Sequence, residues 1–240
     1  EYLKDNKNFD QLLNKAFSLD LNCHFYISKS KMMNMVKNQL LKGKEALITS
    51  NKELALEVMH NEKRVNGYEL LIDTDCENVI ARFSPVAIDL RFVLATLKIN
   101  YHLERIGDNA DGIARNVLDL QAQWNEELLQ SLELVKAFDT ATIMLQHIID
   151  SYANEDSSLA RKVFEMDKTI DDITDRAIVK IADFLKQNNN NIEKDLYLLL
   201  IHRKLERVGD LMKNMAEEII FYVEAKVLKH KTKIEKTQQP

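Results

Sequence analysis

The sequence is poor in the residues that interrupt helices. Its 240 residues include only five glycines and two prolines, and one of those prolines is the terminal Pro240. Only Pro85 can therefore break the body of the chain, which indicates long helices joined by short loops. The length is enough for one large domain or for two domains of about 120 residues each.

Other absences argue against whole classes of protein. The net charge is −5, which argues against wholesale nucleic-acid binding. No apolar run is long enough to span a membrane, and no signal peptide is recognisable. The two cysteines, Cys23 and Cys76, have no metal-ligand spacing. Together these features favour a cytoplasmic protein with reduced thiols.

What the sequence does contain is a charged hexapeptide that occurs twice. Residues 103–108 are Leu-Glu-Arg-Ile-Gly-Asp and residues 205–210 are Leu-Glu-Arg-Val-Gly-Asp, so five of six positions are identical. The offset is 205 − 103 = 102 residues. A repeat at this distance, close to the size of a small domain, indicates a duplicated unit.

Apolar periodicity divides each copy into three helices. The predicted helices cover residues 25–48, 53–82, 85–120, 126–152, 158–187 and 192–229. Short connections make successive helices antiparallel, so we predict an all-α fold of two tandem three-helix bundles. We assign an N-terminal arm, the two bundles and a flexible tail to residues 1–24, 25–121, 125–230 and 231–240.

Two helix boundaries carry specific signals. The Thr49-Ser50-Asn51 cluster is a turn that supplies an N-cap for the second helix. Ser84 can cap the third helix, and Pro85 can occupy its first position, where the missing N–H is tolerated.

Each hexapeptide places two acids on one helix face. Glu104 and Asp108 lie four residues apart and project together, and so do the corresponding residues of the second copy. Further polar and acidic residues continue these rows, and the preceding helices carry matching positions at an offset of 105 residues. Stacked carboxylates repel one another, so the rows predict either a bound cation or neutralisation by the hexapeptide arginines.

The hexapeptides also place a glycine in the middle of each predicted helix. Gly107 and Gly209 occupy equivalent positions, where glycine destabilises a helix by about 0.5–1 kcal/mol relative to alanine. Close helix packing and access for an ion or partner both explain this placement, and the sequence leaves the two explanations open.

Three features together resemble the PhoU family, the phosphate-uptake regulators of bacteria and archaea. They are the Pro-Val-Ala-Ile-Asp-Leu-Arg run at 85–91, the doubled Glu-Arg-Ile/Val-Gly-Asp, and the polar pairs on the preceding helices. The resemblance implies two tandem three-helix bundles whose Glu/Asp-x-x-x-Asp motifs bind multinuclear metal sites, with iron, manganese, magnesium or zinc as the metal.

The same resemblance implies a biological role. Such a protein is a non-enzymatic negative regulator that links the ATPase subunit of the phosphate ABC transporter to a membrane sensor histidine kinase. It is expected to be a cytoplasmic homodimer, at most peripheral to the inner membrane.

The resemblance also implies the site residues. We call the first set the first acidic face, and it comprises Glu62, Asn66, Glu104, Asp108 and Asp111. The second acidic face comprises Asp167, Asp171, Glu206, Asp210, Asn214 and Glu217. Arg105 and Arg207 are the candidate partner-binding residues.

The two acidic faces differ in ways that affect metal binding. Asn66 replaces an acid of the family pattern, and Arg115 stands where the second copy has Glu217. We therefore expect the first acidic face to hold metal more weakly than the second. The oxygen-only donor set favours magnesium, manganese or ferric iron over zinc.

Alternatives to this interpretation stay open at the level of sequence. The acids could form a solvated, salt-bridged face without metal. The chain could be the cytoplasmic PhoU-like module of a sodium–phosphate cotransporter, which the missing initiator Met suggests. A metal-dependent oxidase or phosphatase is disfavoured, because the sequence has no Glu-x-x-His pair, glycine-rich phosphate loop or recognisable catalytic triad spacing.

Overall fold

The computed structural model describes residues 19–119, 124, 126–187 and 192–228. Within these ranges all regular secondary structure is α-helical, which confirms the predicted fold class. The helices are α1 Leu19–Thr49, α2 Lys52–Phe83, α3 Ala87–Asp119, α4 Glu126–Ser131, α5 Leu134–Asn154, α6 Ser157–Gln187 and α7 Ile192–Glu224. None of these described helices combines the length and apolarity that crossing a membrane requires.

The long helices form two groups of three. Helices α1, α2 and α3 pack against one another, and so do α5, α6 and α7, while the short α4 packs against α5 and α6. The two bundles meet side by side through α3 against α7 and α1 against α5. Buried apolar side chains of both bundles form one core, so the two copies stabilise each other.

Helices α3 and α7 run antiparallel across the contact between the bundles. Lys98 Nζ lies 2.9 Å from Glu218 Oε2, and Lys204 of α7 lies against Gly112 of α3. Residue numbers rise along α3 as they fall along α7 between these two pairs. Arg105 and Leu211 lie midway between these pairs in sequence and line one cleft between the helices. The two hexapeptides therefore lie opposite each other.

The helix boundaries confirm one capping prediction and correct another. The Asn51 side chain accepts a hydrogen bond of 3.1 Å from the Leu54 N–H, as an N-cap does. The prediction that Ser84 caps α3 was wrong. Ser84 ends α2 in the left-handed conformation, with its N–H donating to Ile80 O. Helix α3 then begins at Ala87, so Pro85 lies in the connection.

The predicted helix over residues 126–152 is interrupted. Glu133 adopts a left-handed backbone conformation with φ 55°, which separates α4 from α5. The interruption is stabilised on both sides, because Leu132 is buried and Arg176 Nη2 of α6 lies 2.8 Å from Glu133 Oε2. The last helix also ends earlier than predicted, at Glu224 rather than residue 229.

Some predicted segments fall outside the described part of the chain. These are residues 1–18 of the arm, residues 231–240 of the tail, and most of the link at 121–125. The last six residues of the predicted arm, 19–24, belong to α1.

Candidate functional site

The first acidic face lies where α2 packs against α3. Val65 of α2 and Ile106 of α3 are fully buried, and this places their polar neighbours at the edge of the helix contact. Asn66 donates a short hydrogen bond to Glu62 Oε1. The other amide atom, Asn66 Oδ1, is buried and has no hydrogen-bond partner. An unpartnered buried oxygen beside carboxylates is an open acceptor for a cation.

Negative charge is poorly compensated on the first acidic face. Burial, followed by the charges of Asp108 and Glu69, raises the pKa of Glu104 to about 7, and the Arg105 charge offsets this only in part. Burial also raises the pKa of Glu69, with further contributions from Asp73 and Asp108. The cluster therefore extends along α2 to two acids that our set of site residues omitted.

Asp111 does not share in this cluster. Its carboxylate is bound by Arg115, whose Nε lies 2.6 Å from Asp111 Oδ2 one turn further along α3. The side chain is nearly buried and its charge is already compensated. Asp111 thus differs from the other predicted ligands of the first acidic face in having its charge paired within α3.

The second acidic face contains its own cation. Lys213 Nζ of α7 lies 2.5 Å from Asp167 Oδ2 and 2.6 Å from Asp210 Oδ1. Burial acts to lower the pKa of Lys213, but its hydrogen bonds to both carboxylates outweigh burial and raise that pKa. Asp167 is only 2% exposed, so Lys213 neutralises a carboxylate that water hardly reaches.

Of the remaining residues of the second acidic face, Asp171 and Glu206 lie near Asp167, whereas Glu217 lies near Lys98 of α3. Burial, followed by the charge of Asp167, raises the pKa of Asp171 to about 6. Glu206 contributes to that shift and is itself paired with Arg203 at 2.7 Å. Asn214 is half-buried on α7. Glu217 lines a small cavity with Lys98, close to the α3–α7 contact.

The hexapeptide glycines allow close packing. A Cβ atom at Gly107 would lie 3.3 Å from both Val65 Cγ1 and Gln39 Oε1. A Cβ atom at Gly209 would lie only 2.8 Å from Asp167 Oδ1. Of the two explanations left open by the sequence, close packing is the one that these contacts support. At Gly209 it is the buried acid of the second face that takes up the space.

The hexapeptide arginines form no ion pairs with the acids, contrary to one expectation from the sequence, and Arg105 offsets the raised pKa of Glu104 only in part. Within the described ranges, no carboxylate lies at salt-bridge distance from Arg105 or Arg207. The compensating cations are Arg115, Arg203 and Lys213. Lys213 stands where the first copy has Asp111, since 213 − 102 = 111. Aligning the copies beyond the hexapeptide would have revealed this difference.

The two acidic faces differ in their fit to a metal ion. As the side chains stand, no three carboxylate, imidazole or thiolate groups among the described residues converge on a position that could hold one. Each face has one buried oxygen without a hydrogen-bond partner, Asn66 Oδ1 on the first and Asp167 Oδ1 on the second. The faces differ in charge, because Glu62, Glu104 and Asp108 of the first face form no ion pair with a described residue. On the second, the Lys213 ammonium lies between Asp167 and Asp210. We therefore rank the first face above the second, the reverse of the expectation from sequence.

Replacing Glu104 with Gln should raise the free energy of unfolding by about 1–2 kcal/mol at pH 8, and by less at pH 5. The pKa of Glu104 is raised from 4.5 to about 7 in the folded protein. Between these values the unfolded chain loses its proton first, so stability falls as pH rises, and Gln removes this loss. Urea unfolding with a chelator present measures the effect, with exposed Glu165→Gln as control. Parallel pH profiles for wild type and Glu104→Gln would contradict the account.

One family of known proteins matches the chain twice, once in each copy of the repeat. The PhoU domain family matches residues 30–117 and again residues 134–219. These matches start 134 − 30 = 104 residues apart, within the offsets of 102 to 105 seen in the sequence.

Individual relatives and solved structures carry the same family name. The phosphate-specific transport system accessory proteins PhoU of Edwardsiella tarda and Escherichia coli K12 are each 32% identical to this chain. The matches cover 91% of it and 90% and 91% of the relatives. The crystal structures of PhoU from Pseudomonas aeruginosa and Streptococcus pneumoniae match with TM-scores of 0.79 and 0.78. The P. aeruginosa structure is 27% identical, and the match covers 86% of this chain and 99% of that one. The S. pneumoniae structure is 25% identical, and the match covers 88% of this chain and 98% of that one.

Proposed function

This chain belongs to the PhoU family, and on that premise we propose that it is a metal-binding, non-enzymatic negative regulator of phosphate uptake and phosphate-starvation signalling. In this proposal it couples the ATPase subunit of a phosphate ABC transporter to a sensor histidine kinase. It would act as a homodimer in the cytoplasm. The relatives from E. tarda and E. coli are named as accessory proteins of a phosphate-specific transport system, which supports a transporter partner.

The observation that carries the metal-binding part is the uncompensated charge of the first acidic face. Five carboxylates on or beside the first acidic face form no ion pair with any described lysine or arginine. They are Glu62, Glu69, Asp73, Glu104 and Asp108. Four of these carboxylates are half-buried and Asp108 is exposed, and unpaired like charges on one face favour proton or cation uptake.

The donor set suits a hard cation and more than one ion. We assign Glu62, Asn66, Glu104 and Asp108 as the ligands, with Glu69 and Asp73 extending the site along α2. Five carboxylates and one amide oxygen supply more donor atoms than a single six-coordinate ion requires. Magnesium, manganese or iron is preferred over zinc, because no thiolate or imidazole is assigned to the site.

A bound cation would supply positive charge to a face that is otherwise anionic. The surface of α2 and α3 would then change from repelling acidic partners to accepting them, and the change would depend on metal supply. Glu104 and Asp108 hold the cation in this scheme, and the apolar stripe beneath them fixes both helices. This links metal binding to partner docking without any chemical turnover.

A reporter experiment tests the regulatory role. In a bacterial strain lacking its own PhoU protein, this chain should repress a phosphate-starvation reporter in phosphate-rich medium. The Glu104→Ala/Asp108→Ala variant should lose at least about tenfold of that repression, because the docking face depends on the cation. Glu206→Ala/Asp210→Ala, the matched pair on the second acidic face, should retain it. Equal repression by both variants, at equal protein levels, would contradict the proposal.

A further inference from the structure

A cleft lies between the two bundles where the hexapeptides face each other. Its volume is about 370 Å³, which is ample for a small ligand. We call it the seam cleft, and its polar lining comprises Arg105, Asp108, Asn109, Lys204, Arg207 and Asp210. The lining comes from both copies of the repeat, so the cleft exists only because α3 and α7 pack together.

Three cationic side chains line the seam cleft without an acidic partner. No carboxylate of the described chain lies at salt-bridge distance from Arg105, Lys204 or Arg207. Tyr101, one turn earlier on α3, holds the Arg105 side chain in place. Arg105 Nη1 donates a 2.8 Å hydrogen bond to Tyr101 OH, and Arg105 Cζ lies 5.4 Å from the centre of that ring. Cations grouped in this way repel one another unless an anion lies between them.

The two acids of the lining do not cancel this charge. Asp210 is already bound by Lys213, with 2.6 Å between Asp210 Oδ1 and Lys213 Nζ. Asp108 is thus the only lining carboxylate without an ion pair to a described residue. Three cations against one free carboxylate leave the seam cleft positively charged within a chain whose net charge is −5.

We propose that the seam cleft binds a tetrahedral oxyanion of the phosphate type between Arg105 and Arg207, with Lys204 as a third contact. Guanidinium groups bind phosphate oxygens through paired N–H donors, which a point charge cannot do. The two arginines are equivalent residues of the repeat and approach from opposite helices. Asn109 adds a neutral donor. Asp108 lines the seam cleft and is also a ligand of the proposed metal site. The oxyanion contacts require no metal, so a titration in a chelator tests them apart from that site.

Isothermal titration calorimetry tests the site, using the whole chain in a chelator at constant ionic strength. Inorganic phosphate should bind saturably at one site per chain, with a Kd of about 1 mM or tighter. Arg105→Gln/Arg207→Gln should weaken binding at least about tenfold. Both arginines are exposed, so the fold should survive, and circular dichroism checks this. Arg64→Gln/Arg82→Gln removes the same charge from exposed positions on α2 and should leave the Kd within about twofold.

A second titration with phenyl phosphate distinguishes two sources of the oxyanion. Binding of inorganic phosphate alone would support a site for the free ion, while equal or tighter binding of the ester would support a phosphoryl group carried by another molecule. Absence of saturable binding of both would overturn the proposal. So would equal weakening in the Arg64→Gln/Arg82→Gln control, or displacement by chloride at equal concentration, because either would reduce the effect to general charge.

Discussion

Replacing Lys213 with Met should lower the free energy of unfolding by about 3 kcal/mol at neutral pH. Lys213 Nζ lies 2.5 Å from Asp167 Oδ2 and 2.6 Å from Asp210 Oδ1. Asp167 is 2% exposed, and without the ammonium its charge is buried with no partner. Methionine retains most of the aliphatic contacts of lysine, so the loss reports on the charge. Urea denaturation at pH 7 measures it.

The same variant should acquire a response to metal that the wild-type second face lacks. With Lys213→Met, Asp167 and Asp210 of the second acidic face lose their paired cation, and Mn²⁺ should restore part of the lost stability. The effect of Mn²⁺ on the variant is the increase in its free energy of unfolding, minus the increase that Mn²⁺ gives the wild type. Lys168→Met removes an exposed lysine of α6 and should change stability by less than about 0.5 kcal/mol. Equal stabilities for the two variants would show that Lys213 does not compensate the buried acid.

Replacing Gly209 with Ala should destabilise the protein, although alanine is the better helix former. A Cβ atom there would lie 2.8 Å from Asp167 Oδ1, which is buried and engaged with Lys213 through the same carboxylate. The overlap should outweigh the gain in helix propensity and lower stability by about 1–2 kcal/mol. Thermal and urea unfolding of the purified variants measure the change.

Gly67 offers a matched control on α2. A Cβ atom there meets no atom within 4 Å, so Gly67→Ala should stabilise the protein by about 0.5–1 kcal/mol. Gly107→Ala should fall between the two, because its nearest contacts are at 3.3 Å. If all three substitutions stabilised the protein equally, close packing would not explain the hexapeptide glycines.

Much of the architecture could be predicted because the sequence contains two copies of one three-helix pattern. The hexapeptide and its apolar flanks place Leu103 and Leu205 in equivalent buried positions, and both are 1% exposed or less. The scarcity of glycine and proline correctly indicated long helices. Helix boundaries were less predictable, because Ser84 and Glu133 adopt left-handed conformations. Such conformations are uncommon for residues other than glycine, so the sequence does not indicate them.

The state of each acidic face could not be predicted from spacing alone. Spacing shows which acids share a helix face, but not which long cationic side chain reaches them. Lys213 spans from α7 to Asp167 of α6, and Arg115 turns back along α3 to Asp111. Both contacts depend on rotamers and on the approach of neighbouring helices. An alignment of the two copies therefore shows that Lys213 replaces Asp111, but not that Lys213 reaches Asp167.

Metal content of the purified protein tests the central claim, that the first acidic face is the metal site and the second is closed by Lys213. Wild type and the two paired variants would be dialysed against magnesium, manganese and iron in turn, and bound metal measured by mass spectrometry. We expect metal in wild type, its loss in Glu104→Ala/Asp108→Ala, and its retention in Glu206→Ala/Asp210→Ala. Loss confined to Glu206→Ala/Asp210→Ala, or no metal under any condition, would contradict the account.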